Sequence, residues 1–158
     1  MALKKWKVYL LGALIPITIG SIAGLLTMDS MEIYSQMAVK PPLAPPGWLF
    51  PVVWTVLYAL MGIGSVMVWQ TPPSKQRNRG LNLYVAQLIV NFFWSLIFFN
   101  AQAFGLAALW LILLWVLVIL MTVQFWKVDQ LAGKLQIPYI IWLTFAAYLN
   151  IAIWILNR

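Results

Sequence analysis

The chain has 158 residues, of which 64% are hydrophobic and 8% charged, with ten bases, three acids, no Cys and no His. A water-soluble domain is about half apolar and roughly a quarter charged, so this chain cannot clothe a soluble sphere. The missing Cys exclude disulfides, thiolate nucleophiles and Cys-held zinc or iron–sulfur groups, and the missing His remove the commonest metal ligand and the usual general base.

Uncharged apolar runs of about 18 residues or more read as membrane-spanning helices. The first, 8–26, follows Lys4-Lys5-Trp6-Lys7. Its Gly12, Pro16, Gly20 and Gly24 recur every four residues, a small-residue face that lets two backbones approach and a candidate seam between copies of the chain. Ser21-Ile22-Ala23 also resembles a signal-peptide cleavage site, but cleavage would leave an even number of spans and scatter the bases over both sides. A connector, 27–47, carries Lys40-Pro41-Pro42-Leu43-Ala44-Pro45-Pro46-Gly47-Trp48. Its prolines stiffen the approach to the second span, either to set that helix's angle or to form a lid over a pocket. The remaining spans are 48–69, 81–99, 104–126 and 137–156, with short connectors around Pro72-Pro73, Asn100–Ala103 and Lys127–Gln136. The expected fold is all-α: a single domain, residues 1–158, built as a polytopic bundle of five transmembrane helices.

Five spans place the N-terminus and the second and fourth connectors on one side, with Lys4, Lys5, Lys7, Lys75, Arg77, Arg79, Lys127 and Lys134. Only Lys40 and Arg158 fall on the other. Positive-inside asymmetry predicts a cytoplasmic N-terminus, and the net charge of +7 needs no nucleic-acid partner beyond anionic lipid headgroups.

The ten tryptophans divide by depth. Trp6, Trp48, Trp69, Trp126 and Trp154 lie near span ends, where indoles favour the headgroup interface. Trp54, Trp94, Trp115 and Trp142 lie deeper, Trp110 fits either place, and a deep indole N–H needs a partner. Tyr84, Gln87, Asn91 and Trp94 share one helical face of the third span; Pro138, Trp142, Ala146 and Asn150 recur every four residues on the fifth; Trp54 and Tyr58 are a turn apart on the second, followed by Gly62. The amides serve either as interhelical ties, worth about 0.6 kcal/mol each, or as polar contacts in a pocket. Such a pocket suits a large flat ligand with polar groups at its rim, and it suits ions poorly because no span carries a charge.

These residues resemble the translocator protein family, also called tryptophan-rich sensory proteins and formerly peripheral benzodiazepine receptors. The resemblance runs from about residue 8 to 157. It rests on Lys40-Pro41 with Pro45-Pro46-Gly47-Trp48, on Pro51-x-x-Trp54-x-x-x-Tyr58-x-x-Met61-Gly62, on Gln87-x-x-x-Asn91-x-x-Trp94 with Ile97-Phe98-Phe99, and on Pro138-Tyr139-x-x-Trp142-x-x-Phe145-Ala146 with Leu149-Asn150. It implies a five-helix bundle, commonly a homodimer, that binds porphyrins as ligands and not as cofactors, in a cavity beneath the first connector. Carried over, Trp54 and Trp142 are facing walls, Asn91 with Gln87 supplies the polar contact, Ala146 keeps the wall near Trp142 thin, and Tyr34 sits in the lid. The family's associations with tetrapyrrole traffic and with light-dependent porphyrin breakdown leave three expectations: a receptor or sensor, an oxidative reaction beside Trp54 and Trp142, and a transporter or scaffold. Leu43, Leu106 and Ile33 depart from rings the family often carries, and Ile151 with no base soon after Tyr148 departs from its sterol pattern.

Overall fold

The computed structural model describes residues 4–158. It contains α1 (Lys5–Met37), α2 (Leu49–Trp69), α3 (Lys75–Ser95), α4 (Phe104–Val128), α5 (Gln130–Lys134) and α6 (Ile137–Leu156), with no strand among the described residues. A wide helical turn, Leu96–Asn100, extends α3. Five helical segments are long and apolar enough to cross a membrane, as the hydropathy pattern requires.

The first connector is not the loop expected over 27–47, because α1 continues unbroken to Met37. Leaving hydrocarbon does not end a helix. Met28 to Met37 contains neither Gly nor Pro, so nothing in that stretch breaks the backbone ladder. Helix α1 stops where Pro41 and Pro42 remove two backbone donors and push the preceding residues out of helical geometry. The irregular segment therefore spans only residues 38–48, and Tyr34 lies on the last turns of α1. Leu43 in this segment is left-handed, with φ of 68°, a strained state for a bulky side chain. Helix α3 likewise starts earlier than its apolar run, at Lys75, because Ser74 accepts a hydrogen bond from the Arg77 N–H at 3.1 Å and caps it. The Arg77 guanidinium donates twice to the Trp69 carbonyl, at 2.8 and 3.2 Å, satisfying an orphan acceptor at the end of α2.

Around the bundle the helices follow the order α2, α1, α3, α4, α6, each packing on the next. Lipid tails are as apolar as leucine, so close van der Waals fit rather than hydrophobic expulsion holds these pairs. At α1–α2 the backbones nearly touch: a Cβ on Gly62 would collide with the Gly12 carbonyl, one on Gly12 with Val66, and one on Gly20 with the Tyr58 ring. The face expected as a candidate seam between copies is thus largely consumed within the chain. Gly12 and Gly20 serve the α1–α2 contact, Pro16 is buried, and Gly24 meets open space. The Trp110 indole donates to the Val90 carbonyl at 2.7 Å to join α4 to α3, and the Trp115 indole donates to the Thr144 hydroxyl at 3.0 Å to join α4 to α6. Trp6, Trp48, Trp69, Trp126 and Trp154 are all exposed, as interfacial rings should be.

The α1–α2 contact yields a direct check. Gly62→Ala should lower the stability of the detergent-solubilised protein by about 1–3 kcal/mol, read as a reduced midpoint of unfolding, because neither opposing backbone can withdraw. Gly24→Ala, which meets nothing within 4 Å, should leave that midpoint unchanged or slightly raised.

Candidate functional site

Helices α2, α3 and α6 contribute a buried chain of neutral hydrogen bonds. The Tyr58 hydroxyl donates to Asn91 Oδ1 at 3.0 Å, Asn91 Nδ2 donates to Tyr139 Oη at 2.7 Å, and Tyr139 Oη donates to Gln87 Oε1 at 2.7 Å. Gln87 Nε2 completes the chain on the Met61 sulfur at 3.4 Å. Gln87 and Asn91 lie one turn apart on the inward face of α3, so both reach the same phenol. Tyr139, fully buried, is the hub.

Aromatic rings cover this chain on one side. Trp54 packs on Tyr58 with centroids 5.4 Å apart, on Tyr139 at 6.0 Å, and edge-to-face on Trp142 at 6.5 Å and 87°. Edge-to-face contact places the positive rim of one ring against the negative face of the other, which favours this arrangement over parallel faces. Phe50 and Phe145 flank Trp142, each 5.7 Å away. Trp54 and Trp142 are therefore neighbours in contact, and the expected pair of walls has no ligand-sized gap between the two rings in this conformation.

Trp94, Asn150 and Tyr34 form a second group towards the loop end. The Trp94 indole donates to Asn150 Oδ1 at 3.0 Å, and Asn150 Nδ2 donates to the Phe104 carbonyl at 2.9 Å. Both polar ends of Asn150 are used, so it ties α6 to the start of α4. Trp94 stacks on Phe98 at 5.1 Å, and Tyr34 packs on Phe98, Phe99 and Phe104 at 5.3 to 6.2 Å. Trp94 touches both groups, and Ala146 packs against the first.

Helices α2 and α6 meet mainly through these rings, and outside them lies an open groove of about 660 Å³. Val52 and Val56 of α2 face Pro138 and Ile141 of α6 across it, with Trp142 and Phe145 at its edge. The Trp142 Nε1–H is buried and has no hydrogen-bond partner. An unpaired donor of this kind costs about 1–3 kcal/mol, so it marks a place where an acceptor would be welcome. Reading α6 at a strict period of four selects Pro138, which is exposed on the groove, and passes over Tyr139. The spacing of three from Tyr139 to Trp142 would have found the hub.

The fold and this interior define an integral, multi-pass membrane protein whose bundle is organised by aromatic rings and uncharged amides. Residues 12–155 match the TspO/MBR family model, and the chain belongs to that family. It is 41% identical over 119 residues to protein CrtK of Rhodobacter capsulatus, covering 75% of this chain and 74% of that one. It is 36% identical over 142 residues to the tryptophan-rich protein TspO of Chlorobaculum tepidum, covering 89% and 90% respectively. The translocator protein of Homo sapiens is 38% identical over 117 residues, covering 73% of this chain and 69% of its own.

Tyr139→Phe deletes two buried hydrogen bonds and orphans Gln87 Oε1 and Asn91 Nδ2, so it should destabilise the bundle by about 1–3 kcal/mol in reversible detergent unfolding. Adding Gln87→Leu to that variant removes one orphan and should recover part of the loss, giving a double-mutant coupling that a purely steric role for the phenol would not produce.

Proposed function

We propose that the chain is a membrane receptor or sensor for flat, largely apolar aromatic ligands of the porphyrin class, bound without metal or covalent chemistry. The observation that carries this reading is the Trp54–Trp142 pair beside an apolar groove, with a buried indole N–H that lacks a partner. Indoles offer flat faces to a macrocycle, and the free N–H offers one hydrogen bond to a peripheral carbonyl or carboxylate. Of the two parts open to the amides, ties between helices and polar contacts for a ligand, their hydrogen bonds favour the first. Asn91 and Gln87 already spend their polar atoms on Tyr58, Tyr139 and Met61, so they shape the floor of the site, and a ligand reaches Asn91 only by displacing the Tyr58 hydroxyl. The basic end of the bundle faces the cytoplasm on this reading, following the charge asymmetry.

Titration of the purified protein with protoporphyrin should give saturable quenching of Trp fluorescence. Trp142→Phe keeps a ring and removes the donor, and should weaken binding about tenfold, equivalent to about 1.4 kcal/mol. Trp54→Ala removes a ring face and should weaken it at least as much. Affinity unchanged in both variants would contradict the assignment.

A further inference from the structure

Access to the aromatic group is closed from most directions. At the loop end, Asn157 grips residue 39 twice: Val39 N donates to Asn157 Oδ1 at 2.9 Å, and Asn157 Nδ2 donates to the Val39 carbonyl at 2.9 Å. The Tyr148 hydroxyl donates to the Pro42 carbonyl at 2.9 Å, and Lys40 Nζ reaches back to the Ser35 carbonyl at 3.1 Å. Pro41, Pro42, Pro45 and Pro46 leave the segment little backbone freedom. At the basic end, Gln136 is fully buried, and its Nε2 donates to the Leu60 carbonyl at 3.4 Å and to the Ala132 carbonyl at 3.2 Å, binding α5 to α2. The α1–α2 face is sealed by Gly12, Gly20 and Gly62, and α4 is stitched to α3 and α6 by indole hydrogen bonds.

The α2–α6 side differs. Its groove is almost wholly apolar, faces the surrounding lipid, and is separated from the aromatic group by the Trp142 ring itself. Trp142 is half-buried and meets Trp54 and Phe50 of α2 only edge-on, so parting it from them costs ring contacts and no hydrogen bond. Opening the loop end would break the Asn157 pair and the Tyr148 bond together.

We infer that the ligand reaches its site sideways out of the bilayer, through the α2–α6 groove, with Trp142 as the gate, whose Nε1–H is buried while the gate is closed and meets a carbonyl or carboxylate oxygen once the ring turns aside. This rests on the porphyrin-class reading above. The species that enters is dissolved in hydrocarbon, so its mole fraction in the membrane, and not its aqueous concentration, sets the association rate.

The test uses the full chain in phosphatidylcholine vesicles, with protoporphyrin as the probe and stopped-flow Trp quenching as the readout. Val52 and Val56 are 54% and 52% exposed and Ile141 is 65% exposed, so enlarging them fills the groove without disturbing the core. The double variant Val52→Phe/Val56→Phe, and separately Ile141→Phe, should slow association and dissociation together by about tenfold with a nearly constant Kd, as narrowing a gate does. Asn157→Ala frees the loop segment and should leave both rates unchanged. Wild-type rates in both groove variants, or faster association in Asn157→Ala, would overturn the lateral route while binding itself stands. Absence of saturable quenching in the unaltered chain would overturn the porphyrin-class reading, and the route with it.

Discussion

Hydrocarbon offers no water to a stranded polar atom, and this chain places no charge in its apolar spans. A buried amide or hydroxyl there gains by finding another neutral group, and Tyr139 is where Asn91 and Gln87 find theirs. One phenol oxygen accepts from Asn91 and donates to Gln87, and through Asn91 it reaches Tyr58. The three bonds span α2, α3 and α6, which the backbone packing does not hold together as a unit. The network thus fixes how the aromatic rings of α2 and α6 face one another. Losing it would leave those two helices joined by ring contacts and by the Gln136–Leu60 hydrogen bond at the start of α6.

The same economy shapes the site. A charged or metal-bearing pocket would attract ions and water; rings over a saturated amide floor repel both. Because Asn91 and Gln87 are already paired, the interior is stable when empty, and a ligand gains little from them unless it offers equivalent bonds in exchange. The Trp142 N–H is left unpaired beside the α2–α6 groove, as the Tyr84 hydroxyl and the Gln124 and Gln136 Oε1 atoms are left unpaired elsewhere in the bundle. Tight small-residue contact on the α1–α2 face and ring contact on the α2–α6 face make the bundle mechanically uneven, firm on one side and able to part on the other.

Much of this was legible in the residues. Charge-free runs give the spans, segment-end tryptophans the interfaces, and the 3-4-3 spacing of Tyr84, Gln87, Asn91 and Trp94 the inward face of α3. Other features were hidden for definite reasons. A hydropathy pattern marks where hydrocarbon ends and not where a helix ends, so α1 runs eleven residues past the apolar stretch that stops at 26, to Met37. Small residues at spacing four promote close approach within a chain and between chains alike, so Gly12 and Gly20 could not name their partner. Trp94, Asn150 and Tyr34 look like parts of one pocket because they share depth or motif, yet their partners, Phe104 and the rings of Phe98 and Phe99, are placed by the turn after α3. That Asn91 is saturated depends on which donor meets which acceptor, information only three-dimensional structure holds.

Lateral entry of the ligand requires that α2 and α6 be the pair that separates. The chain has no native cysteine, so spin labels on introduced cysteines report single distances. Pulsed dipolar spectroscopy in bilayers, with labels at Trp48 and Leu156 for α2–α6 and at Ile89 and Ile112 for α3–α4, measures the two faces independently. Saturating porphyrin should lengthen the α2–α6 distance by a few ångströms and leave α3–α4 unchanged. An α2–α6 distance that stays fixed at full occupancy, or a change confined to α3–α4, would contradict it.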